Sequence, residues 1–377
     1  MAAATTVGGP DITAGVTRDW AATPGATGGV QCHASTLLVV GDTVLCAWFA
    51  GTAEGSPDNQ ILLAARGLDG TWGAPRVVAG TGAVAHWNPV LAHGPDGEVW
   101  LFFKRGPRIS GWATWLCVST DQGDSWSAPR ELVPGDTGGR GPVKNPPVRT
   151  TDGAWLAPAS TEDWAESGAI WQSFVDRSPD DGRSWNRVDI PLDRSTLTGA
   201  GVIQPALWLW GATVGALMRS SEGHAYVAFS ADHGQSFGPA TPSTLPNNNS
   251  GLTVAMLADG TLACVHNPGG TSWGSRCPLA IAVSRDGVSW QQVAVVDDGR
   301  MPLGAFTPSL PAASATGFDP HDDGVRTDGT GEYSYPAAVV LGDDLLVSYT
   351  WQRRGIVCAT VPLTLLAHPE PNRKMQP

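Results

Sequence analysis

A short turn pattern, repeated at near-constant spacing, constrains this chain more than any other feature. Its full copies are Ser119-Thr-Asp-Gln-Gly-Asp-Ser-Trp126, Ser178-Pro-Asp-Asp-Gly-Arg-Ser-Trp185, Ser230-Ala-Asp-His-Gly-Gln-Ser-Phe237 and Ser284-Arg-Asp-Gly-Val-Ser-Trp290. A degenerate copy is Arg66-Gly-Leu-Asp-Gly-Thr-Trp72, and the first residues of the five lie 53, 59, 52 and 54 positions apart. Each copy follows a strand-like apolar run, such as 113–118 or 279–283. The residue types have a mechanical role. Asp accepts backbone N–H groups, Gly supplies a positive φ, and the aromatic residue fills the space beside the turn. About fifty residues is the length of a four-stranded sheet with its loops, so the repeat predicts an all-β fold of radially arranged sheets, a β-propeller.

A second repeat counts the sheets. Apolar strands begin on a polar residue, followed by proline in four cases: Asn88-Pro89, Asn145-Pro146, Gln204-Pro205 and Tyr335-Pro336. His33 and Asn249 open two less regular copies. Proline is tolerated at the first residue of a strand, where its missing N–H is not needed. Six starts predict a single six-bladed propeller over residues 1–377, with repeats from about 28 to 365 and a long insertion at about 297–330 before the last blade. The innermost strands of a propeller line its axis. His33, Asn88, Asn145, Gln204, Asn249 and Tyr335 are therefore expected as a ring at one mouth. Buried polar groups without partners cost about 1–3 kcal/mol each, which points to a ligand pocket; a water-filled channel is the plainer alternative. A second polar set follows 15 to 18 residues after the ring positions and is expected to return to the same mouth: Lys104, Glu162, Arg219, Asn267 and Arg353. A longer first-blade loop, 51–58, adds Asp58.

Composition narrows the ligand. The formal net charge is −12 and no Lys/Arg-rich run occurs, which argues against a nucleic-acid backbone as partner. No apolar run reaches the length needed to span a membrane. The first fifteen residues lack the basic and apolar regions of a signal peptide, so the expected location is cytoplasmic, or secreted if a leader was removed. The six cysteines show no metal-ligand spacing; they read as buried free thiols, with a Cys264–Cys277 disulfide as the alternative. No metal or cofactor is expected, and the chain reads as a monomer or weak oligomer.

Lys104, Arg219, Arg276 and Arg353 would share one mouth in a chain with only 23 basic residues. Guanidinium groups bind carboxylates bidentately, so a small acidic or carbohydrate ligand is expected; the alternative is salt bridging to Glu54, Glu162 and Asp163. Trp112, Trp164 and Trp273 would stack on a sugar, or plug the blades. Asp58 is a general-acid candidate if burial raises its pKa; otherwise it caps its loop. Tyr335 is a nucleophile or base, or a hydrogen-bonded phenol, with Tyr333 beside it in Glu332-Tyr-Ser-Tyr-Pro336. His33 is a donor or a base. Within the insertion, Asp319-Pro-His-Asp-Asp-Gly324 would be a lid, a cation site or a plain surface loop.

The repeated turns resemble Asp boxes, and the chain resembles the sialidase superfamily, in particular the bacterial sialidase-like BNR-repeat proteins. Further segments that look like that group are 32–36, 47–51, 54–58, 87–90, 141–146 and 333–336. The resemblance implies that Asp58 is the acid/base, that Arg219 and Arg276 are the second and third carboxylate-binding arginines, and that Tyr335 is the nucleophile. Two positions depart from the pattern: His33 stands where the first arginine is expected, and Gln204 stands where a glutamate would assist the tyrosine. The implied activity is that of an exo-acting glycoside hydrolase on a sialic- or uronic-acid-type terminus. The alternatives are a polysaccharide lyase cleaving at a uronate, and a non-catalytic carbohydrate-binding propeller or an enzyme of a small acidic metabolite.

Overall fold

The computed structural model describes residues 15–67, 69–136, 138–165, 168–299, 318–319, 324–325 and 331–367. Six four-stranded antiparallel sheets follow one another along the chain as the blades of a propeller. Blade 1 is Gln31–Val40, Thr43–Gly51, Gln60–Arg66 and Arg76–Ala79; blade 2 is His86–His93, Val99–Arg105, Ala113–Ser119 and Arg130–Glu131. Blade 3 is Val148–Arg149, Trp155–Ala165, Gly168–Ser178 and Asn186–Asp189; blade 4 is Val202–Trp210, Thr213–Ser220, His224–Ser230 and Thr241–Pro246. Blade 5 is Thr253–Met256, Leu262–His266, Leu279–Ser284 and Gln291–Asp297. Blade 6 takes Tyr333–Leu341, Asp344–Trp351 and Gly355–Pro362 from the end of the chain and its outermost strand, Thr17–Ala22, from the beginning. That strand runs antiparallel to the third, Thr17 opposite Thr360 and Ala22 opposite Ile356, and so closes the ring.

The core lies between the blades. Side chains alternate across a strand, so each blade offers one apolar face to each neighbour. In strand Asp344–Trp351, Leu345, Val347 and Tyr349 pack with blade 5. Leu346 packs with blade 1, and the Ser348 hydroxyl meets that of Ser35 at 2.9 Å. An apolar cluster fills every blade interface in turn.

The repeated turns sit after the third strands of blades 1 to 5, at the end of the propeller opposite the starts of the innermost strands. In the first full copy Asp121 accepts from Ser125 N at 2.9 Å and from Ser119 Oγ at 2.7 Å, while Gly123 N donates to Ser119 Oγ at 2.8 Å. The copies led by Ser178 and Ser230 repeat these bonds. Their glycine serves two purposes. Gly123, Gly182, Gly234 and Gly287 all have positive φ, and a Cβ on each would come within 2.6–2.8 Å of a side chain of the preceding blade: Leu45, Trp100, Leu156 and Trp208 respectively. The turn therefore also sets how closely adjacent blades approach.

All six cysteines are free thiols, five buried and Cys277 partly exposed, so the Cys264–Cys277 disulfide does not form. The lid or cation site expected in the insertion falls almost wholly outside the described residues; Phe318–Asp319 and Gly324–Val325 pair as a two-residue hairpin.

Candidate active site

The innermost strands of blades 1, 2, 4 and 6 each carry a β-bulge near their start. At the bulge the residue takes a left-handed backbone: Ala34, Asn88, Gln204 and Tyr335 have φ of 56°, 42°, 56° and 51°, and Asn249 in blade 5 has 64°. A bulge re-aims side chains and is frequent beside functional sites. The ring position of blade 1 is thus Ala34, one residue after the expected His33. No proline follows in that blade to mark the register. His33 shares the register of Trp87, Ile203 and Ser334, yet its ring lies 4.3 Å from that of Tyr335.

Tyr335 is the centre of the constellation. Gln204 Nε2 and Arg219 Nη1 both donate to its phenol oxygen at 3.1 Å. Arg219 Nη1 also donates to Gln204 Oε1 at 3.3 Å, and Arg219 Nε donates to Asn249 Oδ1 at 2.9 Å. A guanidinium can only donate, so the amide of Gln204 must turn its oxygen to Arg219 and its N–H to the phenol. Gln204 is therefore a donor where a glutamate would be an acceptor. With both lone pairs of the phenol oxygen engaged, its own proton points to neither neighbour. Asn249 Nδ2 is buried without a partner among the described residues. Arg219 is 4% exposed, and among the described residues it bonds only to neutral groups, with the indoles of Trp171 and Trp273 at 5.5 and 5.9 Å.

The other two arginines are paired. Arg276 Nη1 meets Glu332 Oε1 at 2.7 Å and Arg353 Nε meets Glu332 Oε2 at 2.9 Å. Arg353 also binds Glu54 through Nη1. Burial pushes the Glu332 carboxyl up, but Arg353 and then Arg276 overcome this and hold it well below the usual range. His33 is buried, and burial followed by the field of Arg353 keeps its imidazole neutral. Among the described residues its Nδ1 has no hydrogen-bond partner, and it lies 4.0 Å from Glu332 Oε1. Lys144 closes the floor: its amine donates to Pro336 O at 2.7 Å and stands 5.8 Å from the Tyr335 ring. Burial lowers that amine to about 7.

Several expected binding residues are placed elsewhere. Lys104 is buried in a cage of oxygens, donating to Thr114 Oγ1 at 2.6 Å and to the carbonyls of Gly139, Arg140 and Gly141 at 3.0, 3.0 and 3.4 Å. Asn145 spends its amide on the carbonyls of Gln204, Pro205 and Leu252, stitching blades 3, 4 and 5 together. Asn267 does the same for Arg276, Pro278 and Tyr333. Trp112 packs with Ala85, Trp87 and Val143. Tyr333 belongs to the core between blades 5 and 6, its hydroxyl accepting from Gln352. Asn88 is buried at its bulge, and Glu162 lies half-buried on the hairpin of blade 3, opposite Trp171. Asp58 is exposed and accepts from the backbone and hydroxyl of Thr52 at 3.0 and 2.6 Å. The Thr52 hydroxyl lowers its carboxyl pKa, the reverse of the elevation a resting general acid requires. Glu332, like Lys144, is a site residue that the sequence reading passed over. Its signal was position, three residues before Tyr335 in the motif that carries the tyrosine.

The BNR repeat-like domain model matches residues 42–347. The chain belongs to that family. Its fold matches sialidases among solved structures: that of Trypanosoma rangeli in its covalent complex with 2,3-difluorosialic acid is 13% identical, with a TM-score of 0.63 over 93% of this chain and 60% of that one. A mutant of the NanB sialidase from Streptococcus pneumoniae is 10% identical, with a TM-score of 0.64 over 90% of this chain and 70% of that one. A protein of unknown function from Dyadobacter fermentans is 15% identical, with a TM-score of 0.64 over 92% of this chain and 99% of that one. The chain thus spans about three fifths of the T. rangeli enzyme. No curated protein sequence matches this chain. This BNR-repeat protein is a six-bladed propeller with the fold of those sialidases, and identities this low speak to fold alone.

Proposed function

We propose that this BNR-repeat protein is an exo-acting glycoside hydrolase on a sugar terminus that carries a carboxylate, of the sialic- or uronic-acid type. The observation that carries the reading is Arg219: a buried guanidinium whose partners among the described residues are all neutral, bonded to the phenol of Tyr335. A buried charge without a counter-ion is costly, and a ligand carboxylate beside Tyr335 relieves it. In this reading Arg219 holds the carboxylate, and the Tyr335 oxygen faces the anomeric carbon. Asp58 protonates the leaving oxygen once the ligand draws it from Thr52 and excludes water, which lifts its pKa. The structural neighbours named sialidases lend support at the level of fold.

A second reading, β-elimination at a uronate, has its own support. His33 is a neutral imidazole whose Nδ1 is unpartnered among the described residues, beside Tyr335, and Gln204 offers no carboxylate to take the phenol proton. There His33 would remove the proton at C5 and Tyr335 would deliver one to the leaving oxygen. The test is a panel of sialosides, uronides and uronate-terminated oligosaccharides with products read by mass spectrometry. A product that gains water supports hydrolysis, and Asp58→Asn should then lose most turnover on poor leaving groups. An unsaturated uronate formed without water supports elimination, with His33→Ala inactive. Binding without conversion refutes both.

A further inference from the structure

The site holds two kinds of arginine. Among the described residues Arg219 meets only neutral groups, whereas Arg276 and Arg353 converge on the single carboxylate of Glu332, one on each oxygen. Ser334 donates its hydroxyl to the same carboxylate, and His33 Nδ1 faces it at 4.0 Å. Glu332 is 5% exposed, and Arg353 is tied at its other end to Glu54. Two cations and two carboxylates thus balance at this end of the site, leaving the charge of Arg219 uncompensated beside Tyr335.

An incoming carboxylate would present to Arg276 and Arg353 the same two oxygens that Glu332 already presents. To use them it must displace Glu332, which has no other cation in contact among the described residues and would be stranded as a buried charge. We propose that Glu332 is a built-in substitute for a ligand carboxylate: it occupies Arg276 and Arg353, so that an anionic ligand is held by Arg219 alone. The inference rests on the reading of Arg219 given above, and it deepens the substrate class. The ligand carries one carboxylate, placed at Arg219 and Tyr335, and turns neutral, hydroxyl-bearing atoms towards Glu332. A second anionic group at that end is repelled.

The test is titration calorimetry of the full chain with N-acetylneuraminate, D-galacturonate and the dicarboxylate D-galactarate. Arg219→Met should weaken monocarboxylate binding at least 10-fold. Glu332→Gln, which keeps the shape and removes the charge, should tighten monocarboxylate binding at least 10-fold and create binding of galactarate. If that variant does not fold, Glu332→Gln with Arg353→Met, which leaves the network's charge unchanged, should show the same gain. Arg276→Met alone should leave monocarboxylate affinity within two-fold. A folded Glu332 variant that binds no anion more tightly, or a 10-fold loss in Arg276→Met, overturns the inference. Binding that appears only in the Glu332 variants supports it while refuting Arg219 as the anchor. Wild-type binding lost in Arg219→Met, with no gain in the Glu332 variants, does the reverse.

Discussion

The oxygen cage around Lys104 makes a pH-dependent contribution to stability whose sign follows from the structure. The side chain is fully buried, and its nearest carboxylates, Asp176 and Asp136, act from beyond hydrogen-bond range. Burial therefore lowers its amine from 10.5 to about 7, with the two aspartates opposing. Between those values the unfolded chain holds a proton that the folded chain has lost, so unfolding takes up a proton and stability rises with pH; outside the window the contribution is flat. Each pH unit inside it is worth about 1.4 kcal/mol. From pH 7.5 to 9.5 the lysine should thus add roughly 3 kcal/mol, reduced to the extent that the four oxygens favour the charged amine. Lys104→Met retains the bulk and removes the titration. Urea unfolding of both proteins across this range isolates the effect, because Lys144 and the thiols titrate alike in each and cancel. The wild type should gain stability over the variant as pH rises. A difference that stays flat, or falls, would refute the placement of Lys104 in a desolvated cage and return it to the solvated mouth.

Other consequences are simpler. Asp176 is fully buried and accepts from Arg140 Nε at 2.7 Å and Gly141 N at 2.5 Å; Asp176→Asn breaks a largely buried ion pair and should cost about 3 kcal/mol, and unchanged urea unfolding would contradict the pairing. Gly215→Ala would put a Cβ 2.1 Å from the buried indole of Trp208, with an expected loss of about 1–3 kcal/mol and altered tryptophan near-UV circular dichroism; a melt identical to wild type would show that the blade can give way. Of six free thiols only Cys277 is more than marginally exposed, and burial raises the Cys117 thiol to about 11. A native thiol titration should therefore count one rapidly reacting group per chain, lost in Cys277→Ser, whereas two or more would mean that a blade interface opens.

The blade number was legible because both of its signals are local. The serine, aspartate and glycine of each turn bond among themselves, so their order along the chain is their order in space. Proline after Asn88, Asn145, Gln204 and Tyr335 marks where a strand begins. Blade 1 lacks that proline, and there the reading slipped by one residue, from Ala34 to His33. The close approach of each turn glycine to the preceding blade was invisible for the opposite reason: Leu45 lies far back along the chain from Gly123.

The fate of the charged residues was not legible at all, and Lys104 and Arg219 show why. They occupy the same place in the repeat: Lys104 pairs with Trp87 and Arg219 with Ile203, each just before the ring position. Spacing alone gives them one role. What separates them is the neighbouring blade. The chain leading into blade 3 hangs the carbonyls of Gly139, Arg140 and Gly141 over Lys104, and backbone oxygens exist whatever the sequence there. Blade 5 offers Arg219 a single side-chain oxygen, from Asn249, and blade 6 adds the phenol of Tyr335. A cation surrounded by carbonyls has little left to offer a ligand, while one held by a few neutral side chains keeps its charge available. For Arg276 and Arg353 the deciding group is Glu332, 56 and 21 residues away. In a propeller, periodicity determines where a side chain stands, and the next blade determines whether its charge is already answered.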